Sequence, residues 1–127
     1  MTDTGGNNRV YHRIPLRTNV VCTMYKSHAD MLAKKDAVET KTVTADISAG
    51  GLTFVSRQPL LVGALVELRI EWSDGGKPIE CLSRIVRVDA TQEEDIFHTA
   101  VLFLDIVGAD RARVEKYVDA NLNFEKK

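Results

Sequence analysis

Asp46-Ile47-Ser48-Ala49-Gly50-Gly51 is the stretch from which the fold can be read. Before it, Val43, Ala45 and Ile47 alternate with Thr42, Thr44 and Asp46; after it, Leu52, Thr53, Phe54 and Val55 make a second β-rich run. Two such runs around Ser-Ala-Gly-Gly read as strand, tight turn, strand. The glycines permit backbone angles with φ > 0 and let another group come close to the main chain. On an extended strand successive side chains point to opposite faces, so Asp46 and Ser48 share one side and Val43, Ala45 and Ile47 the other. The turn thus presents a carboxylate, a hydroxyl and bare backbone together. Two readings stand: an ordinary hairpin in which Asp46 and Ser48 tie off local N–H groups, or a turn shaped to meet a ligand.

Strand patterns continue on both sides. Leu16, Thr18, Val20, Cys22 and Met24 mark an inward face. Lys26–Lys41 breaks the alternation; within it His28–Lys35 is helix-compatible, as expected for an elaborated hairpin on the surface. Ala64, Val66, Leu68, Ile70 and Trp72 form the cleanest alternation, which puts Trp72 in or at the rim of the core. Ser73-Asp74-Gly75-Gly76 is a turn. Ile79, Cys81, Ser83 and Ile85 then share one phase, while Val86 and Val88 fall in the other, which predicts a bulge or a bend. Phe97, Thr99, Val101 and Phe103 face inward on the last strand. Val114, Tyr117, Val118 and Leu122 recur at helical spacing, with Asp110 at the N-cap or in the first turn, and their stripe is expected over an open end of the sheet. The expected fold is all-β with one terminal helix. Residues 1–8 are expected to be disordered, 9–15 to form an irregular arm biased to extended geometry by Pro15, 16–105 the strands, 109–122 the helix and 123–127 a frayed tail.

The chain has 127 residues, 44% apolar and 28% charged, which fits one soluble domain with one modest core. Seventeen basic and eighteen acidic residues give a net charge of −1, and only 6% of residues are aromatic. Proteins that hold single-stranded nucleic acid combine a cationic groove with stacking rings, so this composition argues against one. Cys22 and Cys81 read as small buried hydrophobes of a reducing compartment. His12, His28 and His98 have no metal-ligand spacing, and no metal or cofactor is expected. The absence of a signal-peptide core and of a membrane-length apolar run points to the cytoplasm, without membrane insertion.

Upstream of the turn, Arg9-Val10-Tyr11-His12-Arg13 carries two arginines four apart. R-x-x-x-R at Arg9 and Arg13, followed by D-x-S-x-x-G at Asp46, Ser48 and Gly51, resembles the PilZ domain. Leu60–Leu68, Ser83–Val88 and Ala100–Asp105 also look like later strands of that family, so the resemblance covers about residues 9–120. It implies a six-stranded antiparallel β-barrel plus a C-terminal α-helix, and a receptor for the bacterial messenger cyclic di-GMP with Arg9, Arg13, Asp46, Ser48 and Gly51 as its binding residues. Two departures stand out. Asn8 and Val10 flank Arg9 where many members have a further arginine, which leaves open whether one dinucleotide or a stacked pair binds. Ala100 occupies a position often held by glycine.

The residue types suit that ligand. An arginine fork donates to guanine O6 and N7 together, a pairing worth about 1–3 kcal/mol of discrimination, and it also stacks on bases or grips phosphate. Asp46 can accept from the guanine N1–H and N2–H₂ edge or hold an arginine in place. Ser48 can donate to phosphate or accept from a base amine, and Gly51 would keep the backbone low beneath the ring. The arm and turn would then clamp the dinucleotide and pass the change to a downstream protein partner. The alternative is a ligand-free interaction adaptor on the same barrel. An enzyme is disfavoured, because no nucleophile–base pair or phosphate loop is evident in the sequence.

Overall fold

A computed structural model describes residues 13–25, 27–72 and 74–125, with side chains through 122. Among the described residues seven strands occur in chain order: β1 Ile14–Pro15, β2 Asn19–Met24, β3 Val38–Ser48, β4 Gly51–Ser56, β5 Leu65–Ile70, β6 Ile79–Ala90 and β7 Phe97–Ile106. Helix α1 spans His28–Ala33 and α2 spans Gly108–Glu125. All strand pairings are antiparallel. The sheet order is β1-β3-β2-β5-β6-β7-β4, and β3 also pairs with β4. That last pairing closes a six-stranded barrel, with β1 added beside the end of β3.

One rung shows how the sequence builds the core. Ile14, Ile47, Leu52, Val101 and Ile85 are successive partners across β1, β3, β4, β7 and β6. All are at most 4% exposed, so five β-branched or apolar side chains from five strands pack as one layer. Cys22 and Cys81 flank Leu68 on another inner rung. Two interstrand steps, about 10 Å, separate them, beyond the reach of a disulfide. Both are free thiols, and burial raises them to about 12 and about 11 respectively, which suits an inert packing role.

Three register shifts interrupt the ladders, one between β3 and β4 and two between β6 and β7, and two of them bear on the site. Ala45 is the extra residue in β3, between Thr44 opposite Phe54 and Asp46 opposite Thr53. Thr44 is consequently the fully buried residue, with its hydroxyl donating to the Leu16 carbonyl at 2.7 Å, while Val43 and Ala45 are half-buried. The alternation grouped Val43 and Ala45 with Ile47 on one face; the bulge breaks that phase, and of the three only Ile47 is buried. In β6 the expected bulge is present at Val86, between Ile85 opposite Val101 and Arg87 opposite Ala100, but Val86 itself is exposed.

Helix α1 caps the β2–β3 hairpin. The Ser27 hydroxyl accepts from the Asp30 N–H at 3.1 Å. Glu67 on β5 accepts from the Tyr25 hydroxyl at 3.0 Å and from Lys34 Nζ at 2.8 Å, which pins the hairpin tip. Helix α2 seats Val114 and Val118 on the barrel core, with Tyr117 packed edge-on against Trp72 at 5.6 Å. It runs to Glu125 rather than ending at 122, so residues 123–125 are helical and not tail. Residues 14–15 of the expected arm are strand, and Ile14 belongs to the core. The remainder of the arm, Arg9–His12, lies outside the described residues.

The β5–β6 turn clamps α2. Arg113 donates Nε and Nη2 to the two Asp74 carboxylate oxygens at 3.0 and 2.8 Å, Nη2 to the Lys77 carbonyl at 2.8 Å, and Nη1 to Asp110 at 3.0 Å. Arg113 holds the Asp74 carboxyl at about 2, below its ordinary 3.8. A depressed folded-state value favours the charged form on folding. The clamp is therefore complete above pH 3.8 and is lost as pH falls toward about 2. Acid titration followed by Trp72 fluorescence should show loosening in that window, and Arg113→Gln should remove this part of the acid dependence. An unchanged titration in the variant would rule out the clamp as its source.

Gly51 is the tightest point of closure. A Cβ there would stand 2.0 Å from the Val101 carbonyl oxygen, so β4 lies against β7 only because residue 51 has no side chain. Gly51→Ala should destabilise the fold by about 1–3 kcal/mol, the range for overpacking, in urea denaturation. A midpoint equal to that of the native protein would show that the strands separate freely here.

Candidate ligand-binding site

The outer rung next to that core layer runs Pro15, Asp46, Thr53, Ala100, Arg87 across the same five strands. These residues alternate with Ile14, Ile47, Leu52 and Val101, so they face away from the core. Arg13 precedes β1 and reaches along this wall. Its Nη2 donates to Asp46 Oδ1 at 2.7 Å and also to the Thr53 hydroxyl. The Arg13 and Asp46 side chains are 28% and 31% exposed, a partly buried pair open to a ligand from one side. Residues 33 positions apart in the chain are thereby joined.

The turn is a two-residue loop, Ala49-Gly50, between the Ser48–Gly51 partners. Ser48 is buried, and its Oγ accepts from the Gly50 N–H at 3.2 Å while its hydroxyl donates to the Gly51 carbonyl at 3.3 Å. It thus ties off the turn, as the ordinary-hairpin reading expects. Gly51 lies in β4, and the approach of β7 accounts for its lack of a side chain. Of the five residues expected at the site, Arg13 and Asp46 touch, Ser48 and Gly51 shape the adjacent turn, and Arg9 lies outside the described residues.

Thr53 was missed by sequence reasoning. The signal was available: a two-residue turn at Ala49-Gly50 sets Ser48 opposite Gly51 and hence Asp46 opposite Thr53. Ala100 lies beyond Thr53 on the same rung, and each is 3% exposed. Leu102, opposite Gly51 on the next outward-facing rung, is 45% exposed and offers an apolar edge.

Behind the wall, the Tyr117 hydroxyl donates to the Pro15 carbonyl at 3.0 Å. The two-residue strand next to Arg13 is therefore held by α2 on one side and by β3 on the other. A broad concavity of about 1150 Å³ lies elsewhere, over β2, β3 and β5, with Val21, Lys41, Glu67 and Arg69 in its lining; Arg13, Asp46, Ser48 and Gly51 do not border it. Among the described residues, no helix is long and apolar enough to cross a membrane.

Solved structures share this architecture. Bacillus subtilis inhibitor of motility MotI (DgrA) superposes with a TM-score of 0.74 at 17% identity, over 94% of this chain and 54% of that one. The PilZ domain of CeSA from a cellulose-synthesizing bacterium gives 0.55 at 18% identity, over 86% and 96%. Escherichia coli YcgR in complex with c-di-GMP gives 0.63 at 15% identity, over 94% and 47%. The chain thus spans about half the length of MotI and YcgR. At these identities the likeness is one of fold. No curated protein matches. The family model that matches is the PilZ domain, over residues 7–120; with the closed barrel and its terminal helix in agreement, this chain belongs to the PilZ domain family.

Proposed function

We propose that this chain is a cyclic di-GMP receptor that holds the dinucleotide between the Arg9/Arg13 segment and the Asp46–Gly51 turn and signals through a protein partner. The observation that carries the reading is the Arg13–Asp46–Thr53 junction, which brings the two motifs together on one outer wall. Among the structures of similar fold, Escherichia coli YcgR and K. pneumonia MrkH are described as complexes with c-di-GMP. In this reading Asp46 and Thr53 hold the Arg13 fork near the turn before the ligand arrives, which lowers the entropy lost when it grips a guanine edge or a phosphate. Asp46 retains acceptor capacity for the guanine N1–H and N2–H₂ edge. Ser48 and Gly51 act by keeping the turn tight and the wall low. Arg9 is the second cation of the clamp.

A second reading is favoured by one observation: the roles of Ser48 and Gly51 are fully met within the fold, by turn closure and strand contact. A ligand-free interaction adaptor would need both residues equally.

Calorimetric titration with cyclic di-GMP separates the two. The receptor reading expects saturable binding, no competition by GTP, and ligand recovered intact after incubation. It expects Arg13→Ala to weaken binding by about ten-fold or more, as for the loss of one charge-assisted pair. A folded native chain that gives no heat would select the adaptor, and conversion of the ligand to a linear product would indicate an enzyme.

A further inference from the structure

The outer rung continues past the residues of both motifs. Beyond Thr53 and Ala100 it ends, on β6, at Arg87. Arg87 holds that place because of the bulge at Val86; an unbroken ladder would set Val86 opposite Ala100. Arg13 and Arg87 therefore stand at two ends of one strip, with a threonine and an alanine between them. The Arg13 fork meets Thr53 on β4, and β6 lies two interstrand steps further, about 10 Å.

Charge distinguishes the two ends. The Arg13 charge is balanced by Asp46 at 2.7 Å. A cyclic dinucleotide is a dianion, and a second cation along the strip would face its far phosphate or guanine edge. Arg87 donates Nε to Asp89 at 2.6 Å, an ion pair whose side chains are 53% and 51% exposed. A pair that open is worth little and is readily exchanged for a ligand oxygen. Its Nε bond leaves the two Nη groups for bidentate contact. Arg84, also on β6, opposes Leu102 on the next outward-facing rung, the one that carries Ser48 and Gly51, and its Nη1 is engaged by the Gly63 carbonyl at 2.8 Å.

We infer that Arg87, which belongs to neither motif, is a second anchor for the anionic dinucleotide, set across the Thr53–Ala100 floor from Arg13. This rests on the receptor reading above. The test is calorimetry with cyclic di-GMP at several salt concentrations on the native chain and on Arg87→Ala, Asp89→Ala and Arg69→Ala. The expected result for Arg87→Ala is binding weakened by about ten-fold or more and a salt slope smaller by about one, the mark of a lost phosphate contact. Asp89→Ala should bind at least as tightly as the native chain, and Arg69→Ala, on β5 and beside the concavity away from the turn, within about two-fold of it, as expected for a surface change away from the ligand. Thermal melts matching the native protein exclude unfolding as the cause. Native affinity in Arg87→Ala, or weakened binding with an unchanged salt slope, overturns the inference and leaves the receptor standing. No heat from the native chain overturns both.

Discussion

The structure depends on the contact between β4 and β7 at Gly51. With no Cβ at residue 51, the Val101 carbonyl can occupy space that a side chain would deny it. Strand β4 therefore pairs with β7 from its first residue, and the Gly51–Leu102 partnership sets the register of the rungs that follow. One rung becomes the layer of Ile14, Ile47, Leu52, Val101 and Ile85. The next becomes the wall bearing Asp46, Thr53, Ala100 and Arg87. Core and site are two faces of one closure. A one-residue slip would exchange them, burying a carboxylate and a guanidinium and exposing aliphatic side chains.

Much of this was legible in the chain. The inward phases of 16–24, 64–72 and 97–103 hold because each face meets the core, and period-2 alternation survives wherever one side is buried. The bulge in β6 showed as a phase change between Ile85 and Val86, although Val86 turns outward instead of starting a second buried phase. The bulge at Ala45 left no such trace. Thr42, Thr44 and Asp46 read as one polar set, yet Thr44 is buried and satisfied by the Leu16 carbonyl. A threonine that carries its own hydrogen bond inward looks polar in sequence and behaves as core.

The site was half legible for a related reason. The family resemblance pointed to Arg13 and Asp46, and an ion pair joins them. Thr53 and Arg87 take their places from strand partners rather than from neighbours in the chain, so each depends on a register that composition does not encode. Sequence also assigned Ser48 and Gly51 to a ligand where the fold supplies sufficient reason for both: a hydroxyl that closes a two-residue loop, and a contact too close for any side chain. The Pro15 carbonyl of β1 accepts from Tyr117, which in turn packs on Trp72. The cation of the site and the terminal helix thus share a two-residue strand as their anchor, and the Arg113–Asp74 clamp holds the helix to the barrel.

The central claim is that a cyclic dinucleotide binds on the wall where Arg13 meets Asp46. The most direct measurement is a nuclear magnetic resonance titration of isotope-labelled protein with cyclic di-GMP. The account predicts shifts at the Arg13 Nε–H and at the amides of Asp46, Ser48, Gly51, Thr53 and Ala100, with Tyr25, Lys34 and Glu67 unmoved on the other wall. Shifts centred on the Tyr25–Lys34–Glu67 side with a still Arg13, or no shifts at saturating ligand, would contradict it.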